Sequence, residues 1–216
     1  GPDGLPIPVE DLASLPSPLA IRAVRTLLTR ANGGDSRCTA AHLEAVVHLC
    51  RSASPSAQAA LPGGLVVRRA YQNLIFTREA PPSLPSAALA LPGRTQVGDW
   101  QVNCTLTFYQ GASYGPFDFY LDRRSVPALT LRPRQTGDAL APPGRPRKTL
   151  KKWHIDEKIP RFLRDQLPVF VCSDQVVGAA GLGPDAAFLP SMGKPAWHIQ
   201  LFHPKFGEKT IKNAWF

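Results

Sequence analysis

The 216-residue chain carries 25 Lys and Arg against 16 Asp and Glu, a formal charge of +9, with 44% apolar residues and 23 prolines. That apolar share suits a soluble globular protein, the prolines demand short, interrupted elements, and no apolar run approaches the roughly 18–20 residues that cross a bilayer. Positions 1–8 have neither a basic cluster nor an apolar core, so no secretory signal is read there and the expected compartment is the cytoplasm.

Ser17-Pro18 supplies an N-cap and a first helical residue, and Leu19, Val24, Leu27 and Leu28 follow on one face until Asn32-Gly33-Gly34 stops the helix. Thr39 caps a second helix with Leu43, Val46, Val47 and Cys50 inward. Ser54-Pro55 opens a third short helical turn that ends at Pro62-Gly63-Gly64. Leu65 to Arg69 and Leu74 to Thr77 read as two strands joined around Tyr71-Gln72-Asn73. Ala80 to Ser86, with Pro81, Pro82 and Pro85, is the linker.

Beyond it, strands are expected over Ala88 to Leu91, Trp100 to Tyr109, Phe117 to Leu121 and Leu129 to Arg132. Lys148 to Glu157 reads as a basic helix with Leu150, Trp153 and Ile155 on its apolar side, and Pro160 to Gln166 as a new helical turn, since proline opens a helix but does not continue one. Val169 to Cys172 and Gln175 to Ala179 read as paired strands. The expected architecture is an α-helical N-terminal domain over residues 1–80 that closes with a β-hairpin, followed by an α+β C-terminal domain over 87–204. Residues 205–216 are left unassigned.

Charge is distributed unevenly. Arg123, Arg124, Arg132, Arg134, Arg145, Arg147, Lys148, Lys151, Lys152, Lys158, Arg161 and Arg164 face only Asp138, Asp156 and Glu157 within one 42-residue segment. The other 174 residues carry 13 cations and 13 anions. A surface shaped only for solubility mixes its signs, so the excess points to a polyanionic partner. Arg132 and Arg134 alternate onto one face of a strand that runs into the Gly137-Asp138 turn. On a helix, Lys148, Lys151 and Lys152 would share one face, where mutual repulsion becomes attraction once phosphates release their counterions. A solvated lysine face is the plainer reading of such a run.

The order L-x-L-R-x-R-x-x-G-D from Leu129 to Asp138, then K-x-L-K-K-x-x-I-D-E-K-I-P-R-x-x-R-D-x-x-P-V from Lys148 to Val169, resembles the C-terminal domain of tRNA(Ile)-lysidine synthases. Val176-Val177-Gly178 and Gly181-Leu182-Gly183 resemble that family's closing strand and turn. His42 to Val46 and Leu61 to Tyr71 are similar to its middle, substrate-binding helical domain. The resemblance implies a ligase that joins lysine to the wobble cytidine of isoleucine tRNA, with ATP and magnesium handled by an N-terminal PP-loop domain carrying S-G-G-x-D-S. This chain lacks that motif, so it is expected to hold tRNA, to contain no catalytic residue, cofactor site or metal site of its own, and to be inactive alone. Its phosphate-contacting candidates are Arg132, Arg134, Lys148, Lys151, Lys152, Lys158, Arg161 and Arg164, and Arg164 is the one most expected to pair with a carboxylate instead.

Other features carry blander readings. Gly33-Gly34-Asp35-Ser36 lacks the leading serine of a PP-loop and follows a helix, so it reads as a helix stop. Adjacent Asp156 and Glu157 point about 100° apart on a helix and read as balancing Lys152, Lys158 and Arg161. Cys38, Cys50, Cys104 and Cys172 have no metal-finger spacing, and the five histidines form no triad. Trp153 reads as core. Two rival functions remain, an enzyme complete in this chain and a generic RNA or polyanion-binding module.

Overall fold

The computed structural model describes residues 7–32, 37–77 and 83–204, and these fall into two compact units, one on each side of Pro81-Pro82. The expected helix stop at Gly33-Gly34-Asp35-Ser36 and the unassigned residues 205–216 lie outside the described residues.

In the first unit, β1 (Ile7–Pro8) leads into α1 (Val9–Ala13), α2 (Ser17–Asn32) and α3 (Ala40–Arg51), followed by β2 (Gln58–Ala60), β3 (Val66–Ala70) and β4 (Asn73–Thr77). Ala20, Val24 and Leu28 recur every fourth residue on α2 and are fully buried, whereas Leu19 is 54% exposed, so the apolar stripe is rotated from the expected one. On α3 the expected Leu43, Val46, Val47 and Cys50 are all buried. His42 completes its N-terminus, with Thr39 N donating to His42 Nδ1 at 3.1 Å in the position a capping-box Glu or Gln takes. Arg69 closes the other end. Its Nη1 donates to the carbonyls of Leu49 and Cys50, both at 3.1 Å, and to Ser52 O, satisfying acceptors that a helix C-terminus leaves open.

Two expectations are corrected here. Pro55-Ser56 forms a turn and no helix, and the chain then enters β2. The hairpin β3–β4 is the centre of a four-stranded antiparallel sheet of order β1-β4-β3-β2, so the unit is α+β and not α-helical. Among the described residues the whole chain has four α-helices against fifteen strands.

The second unit is built on two antiparallel sheets. One has the order β14 (Gly183–Pro184), β13 (Gln175–Ala179), β12 (Val169–Cys172), β9 (Thr130–Arg132) and β5 (Ala87–Ala88); the other has β6 (Gly93–Val97), β7 (Trp100–Phe108), β15 (Pro195–Phe202) and β8 (Asp118–Asp122). The sheets meet where the rings of Phe119 and Phe170 pack edge to face at 5.4 Å. Gly178 on β13 makes room for that contact, since a Cβ there would lie 3.2 Å from the Phe119 ring. The tryptophans at 100, 153 and 197 are buried, and each indole N–H donates at 2.9 Å to a backbone carbonyl, of Gln166, Leu140 and Val126 respectively.

The basic segment sits beside this framework. A two-stranded ribbon pairs β10 (Ala139–Leu140) with β11 (Lys148–Thr149), and α4 (Leu150–Asp156) follows directly. Thr149 is the N-cap, its Oγ1 accepting from Lys152 N at 3.3 Å. Lys148 therefore lies on the ribbon and not on the helix, which corrects the expected face of three helical lysines. Leu140, Leu150 and Trp153 pack with Val169, Val171 and Val176, fixing α4 against the five-stranded sheet. Arg161–Gln166 forms a 3-10 turn after Pro160.

Candidate nucleic-acid interface

The segment 129–169 holds ten cations and four acids, Asp138, Asp156, Glu157 and Asp165. Each acid is taken by a different cation. Arg132 grips Asp138 with both arms, Nη1 to Oδ2 at 2.7 Å and Nη2 to Oδ1 at 2.9 Å, and the two side chains are only 13% and 9% exposed. Asp138 also accepts from Gln135 N at 2.6 Å. Burial pushes the Asp138 carboxyl up, but the Arg132 hydrogen bond, the Gln135 amide and the two nearby guanidinium charges outweigh it, and the net shift is downward. The same hydrogen bond raises Arg132 against the effect of its own burial.

Arg134 Nε lies 2.9 Å from Asp165 Oδ1, an ion pair without hydrogen-bond geometry at that nitrogen. Arg145 Nη2 meets Glu157 at 2.6 Å and Lys148 Nζ meets Asp156 at 2.7 Å, both near the surface. The expectation that Asp156 and Glu157 balance Lys152, Lys158 and Arg161 is thus corrected, because their partners come from the loop and ribbon before the helix. Arg147 reaches Asp185, outside the segment, at 3.5 Å. The buried Asp185 carboxylate is fixed mainly by the backbone amides of Ala141 (2.9 Å) and Ala187 (3.0 Å). Of the ten cations in this segment, Arg132, Arg134, Arg145, Arg147 and Lys148 therefore have acidic partners.

Trp153 lies beneath two of the bridged cations, with the Arg145 guanidinium carbon 4.0 Å and Lys148 Nζ 4.7 Å from its ring centroid. Its other side is core, and the indole has no face left for a base. Close by, His154 is 1% exposed with Nδ1 unpartnered. Burial, reinforced by the charges of Arg134 and Arg164, pushes its pKa down to about 3, so the ring is neutral at physiological pH.

The remaining candidates occupy the two ends of α4. Lys151 and Lys152 are exposed in its first turn, Lys158 follows its C-cap, and Arg161 is exposed in the 3-10 turn. None of these four has an ion-pair partner among the described residues. Arg164, expected to pair with a carboxylate, donates through Nε to Ile159 O at 2.9 Å.

Two local penalties accompany this arrangement. Lysines in a first turn oppose the positive end of the helix dipole, and α4 has no acid there to offset them. Lys158 has φ of +55° and sits where Ile159 N donates to His154 O (2.8 Å) and Lys158 N to Ile155 O (3.0 Å), the C-terminal closure in which glycine is usual. In both places an amine is kept where the helix itself favours something else.

Several participants were missed in the sequence. Asp165 and Asp185 act across the fold, and only Asp165, one residue beyond the basic run, could have been suspected from position. Elsewhere, His198 on β15 meets Asp118 at 2.6 Å and stacks on Tyr120 at 4.4 Å, both on the neighbouring β8. All four cysteines are free thiols, and no group of three His, Cys, Asp or Glu among the described residues could hold a metal. No helix of the described residues is long and apolar enough to cross a membrane.

Comparison with known proteins agrees with the resemblance read from the basic segment. The family model described as "TilS substrate binding domain" matches residues 7–75, and "TilS substrate C-terminal domain" matches residues 129–201. The chain is 33% identical over 172 residues to a tRNA(Ile)-lysidine synthase of Geobacillus kaustophilus, covering 74% of this chain and 36% of that protein. It is 30% identical over 195 residues to one of Symbiobacterium thermophilum, covering 84% and 40%. A solved structure, "Crystal structure of TILS C-terminal domain", superposes with a TM-score of 0.50 at 24% identity, covering 56% of this chain and 98% of its own, which shows the shared fold. The chain spans about two fifths of the length of these full relatives. With both domain models matched and relatives aligned over most of its length, the chain belongs to the tRNA(Ile)-lysidine synthase family.

Proposed function

We propose that this chain is the tRNA-holding portion of the ligase that attaches lysine to the wobble cytidine of isoleucine tRNA. The ATP and magnesium chemistry belongs to a PP-loop domain of the complete enzyme. Lys151, Lys152, Lys158 and Arg161 meet the RNA backbone directly, and Lys148 joins them by exchanging Asp156 for a phosphate. An exposed ion pair is worth at most about 1 kcal/mol, so that exchange is cheap. Arg132 and Arg134 serve instead to hold the loop that carries Asp138 and the ribbon behind α4. The observation that carries the reading is the set of unpaired amines at both ends of α4, kept there against the helix dipole and against the backbone preference at Lys158. A phosphate-rich ligand is what makes such placement favourable.

The test is competition. Isoleucine tRNA bound to the chain is challenged with duplex DNA of equal phosphate content. Retention of the tRNA is expected, because A-form shape and 2′-hydroxyls distinguish RNA from DNA at a backbone-reading surface. Equal displacement would make the chain a generic polyanion binder.

A further inference from the structure

A second cationic surface lies in the same unit, formed by cations other than those the tRNA-holding reading assigns to the RNA backbone. The β8 and β15 strands pair antiparallel with Asp122 opposite Ala196, so the turn leaving β8 and the turn entering β15 emerge side by side. Between them runs a groove of about 960 Å³ whose lining includes Arg123, Arg124, Ser125, Ser191 and Lys194. All three cations are exposed, and none has an ion-pair partner among the described residues.

The turns that present them are built firmly. Ser125 donates to Asp122 Oδ2 from both its amide (2.9 Å) and its hydroxyl (2.6 Å), and Val126 N donates to Asp122 O at 3.0 Å. The one carboxylate in the groove is therefore engaged in shaping the turn. On the other side, Lys194 N donates to Ser191 O at 3.1 Å while Lys194 O accepts from Tyr109 N at 2.9 Å. The Arg123 guanidinium carbon stands 5.8 Å from the Trp197 ring centroid, within reach of a cation–π contact. Three like charges held together on ordered turns repel one another, and an anion relieves that repulsion.

We propose that this groove is a second phosphate-binding site of the chain and that its ligand is the sugar-phosphate backbone of RNA. The choice of ligand rests on the tRNA-holding reading, and the existence of the site rests on the groove itself. Arg124 and Lys194 contact phosphate directly, and Arg123 is held over Trp197 as a fixed donor. Two separate cationic surfaces on one unit grip an RNA at more than one stretch of backbone, fixing its orientation as well as its position.

The experiment follows backbone amide shifts of the full chain titrated with a short RNA duplex, for the wild type and for the double variant Arg124→Gln/Lys194→Gln, with inorganic phosphate as a parallel titrant. Arg123 is left intact because it packs on Trp197, and an unchanged far-UV spectrum and amide dispersion verify that the variant folds. The expected result is one set of shifts at 123–125 and 191–194 and another at 148–161. The variant loses the first set, keeps the second, and lowers the salt slope of RNA binding by about two units. Shifts confined to 148–161 would overturn the second site while leaving the tRNA-holding reading intact. Groove shifts with inorganic phosphate equal to those with RNA at matched phosphate would overturn RNA as the ligand. No shift at either surface removes both proposals.

Discussion

Arg132 was grouped with the phosphate-contacting residues because a strand delivers it beside Arg134, yet its guanidinium is committed to Asp138 in a largely buried bidentate pair. Removing one member of such a pair strands the other charge. Asp138→Asn is expected to cost roughly 3 kcal/mol in urea unfolding, and Arg132→Lys to be poorly tolerated, since an ammonium cannot reproduce the two-armed geometry. His154 makes a signed prediction for pH. Its folded pKa of about 3 lies below the ordinary value of 6.5. The unfolded chain therefore takes up a proton between those values while the folded chain does not, and stability falls as pH drops below about 6.5. The contribution approaches about 1.4 kcal/mol per pH unit. Unfolding of wild type and His154→Gln between pH 7 and 5 checks this, the variant being expected to show the shallower pH dependence.

At the scale of elements, α4 shows which parts of the fold were legible and which were not. The β12 and β13 strands were read with their observed bounds, because apolar runs between Pro168 and the Ser173-Asp174 turn leave little choice of register. The start of α4 was misplaced because Lys148 is drawn into the ribbon with β10, a pairing that no local pattern encodes. The polar β6 strand, Gly-Arg-Thr-Gln-Val, has one buried residue and gave no alternation to detect. The ion pairs were the least visible, since Arg134–Asp165 and Arg147–Asp185 depend on tertiary approach. Two variants test the element. Lys158→Gly is expected to stabilise the fold by about 1 kcal/mol, by relieving a left-handed residue with a side chain, and at the same time to weaken tRNA binding. Lys151→Ala/Lys152→Ala is expected to leave stability unchanged or slightly raised, because two cations leave the helix N-terminus. Loss of stability in either would mean that these lysines are structural.

For the molecule as a whole, charge asymmetry was the most informative property of the sequence. It singled out the stretch from Arg123 to Arg164 without showing which of its twelve cations are engaged, and five of them, Arg132, Arg134, Arg145, Arg147 and Lys148, meet acids in the fold. Of those without an ion-pair partner among the described residues, Lys151, Lys152, Lys158 and Arg161 lie around one short helix. In the complete ligase, the Lys151/Lys152 double variant is expected to raise KM for tRNA with kcat at saturating tRNA retained, as fits residues that hold substrate and take no part in the chemistry.

The most direct test of the central claim is the salt dependence of isoleucine tRNA binding by this chain. Four unpaired cations predict that log K falls with log salt with a slope of at least about −3, reduced in magnitude by between one and two units in the Lys151→Ala/Lys152→Ala variant. A slope near zero, or one unchanged by that double substitution, contradicts an RNA backbone held by the ends of α4.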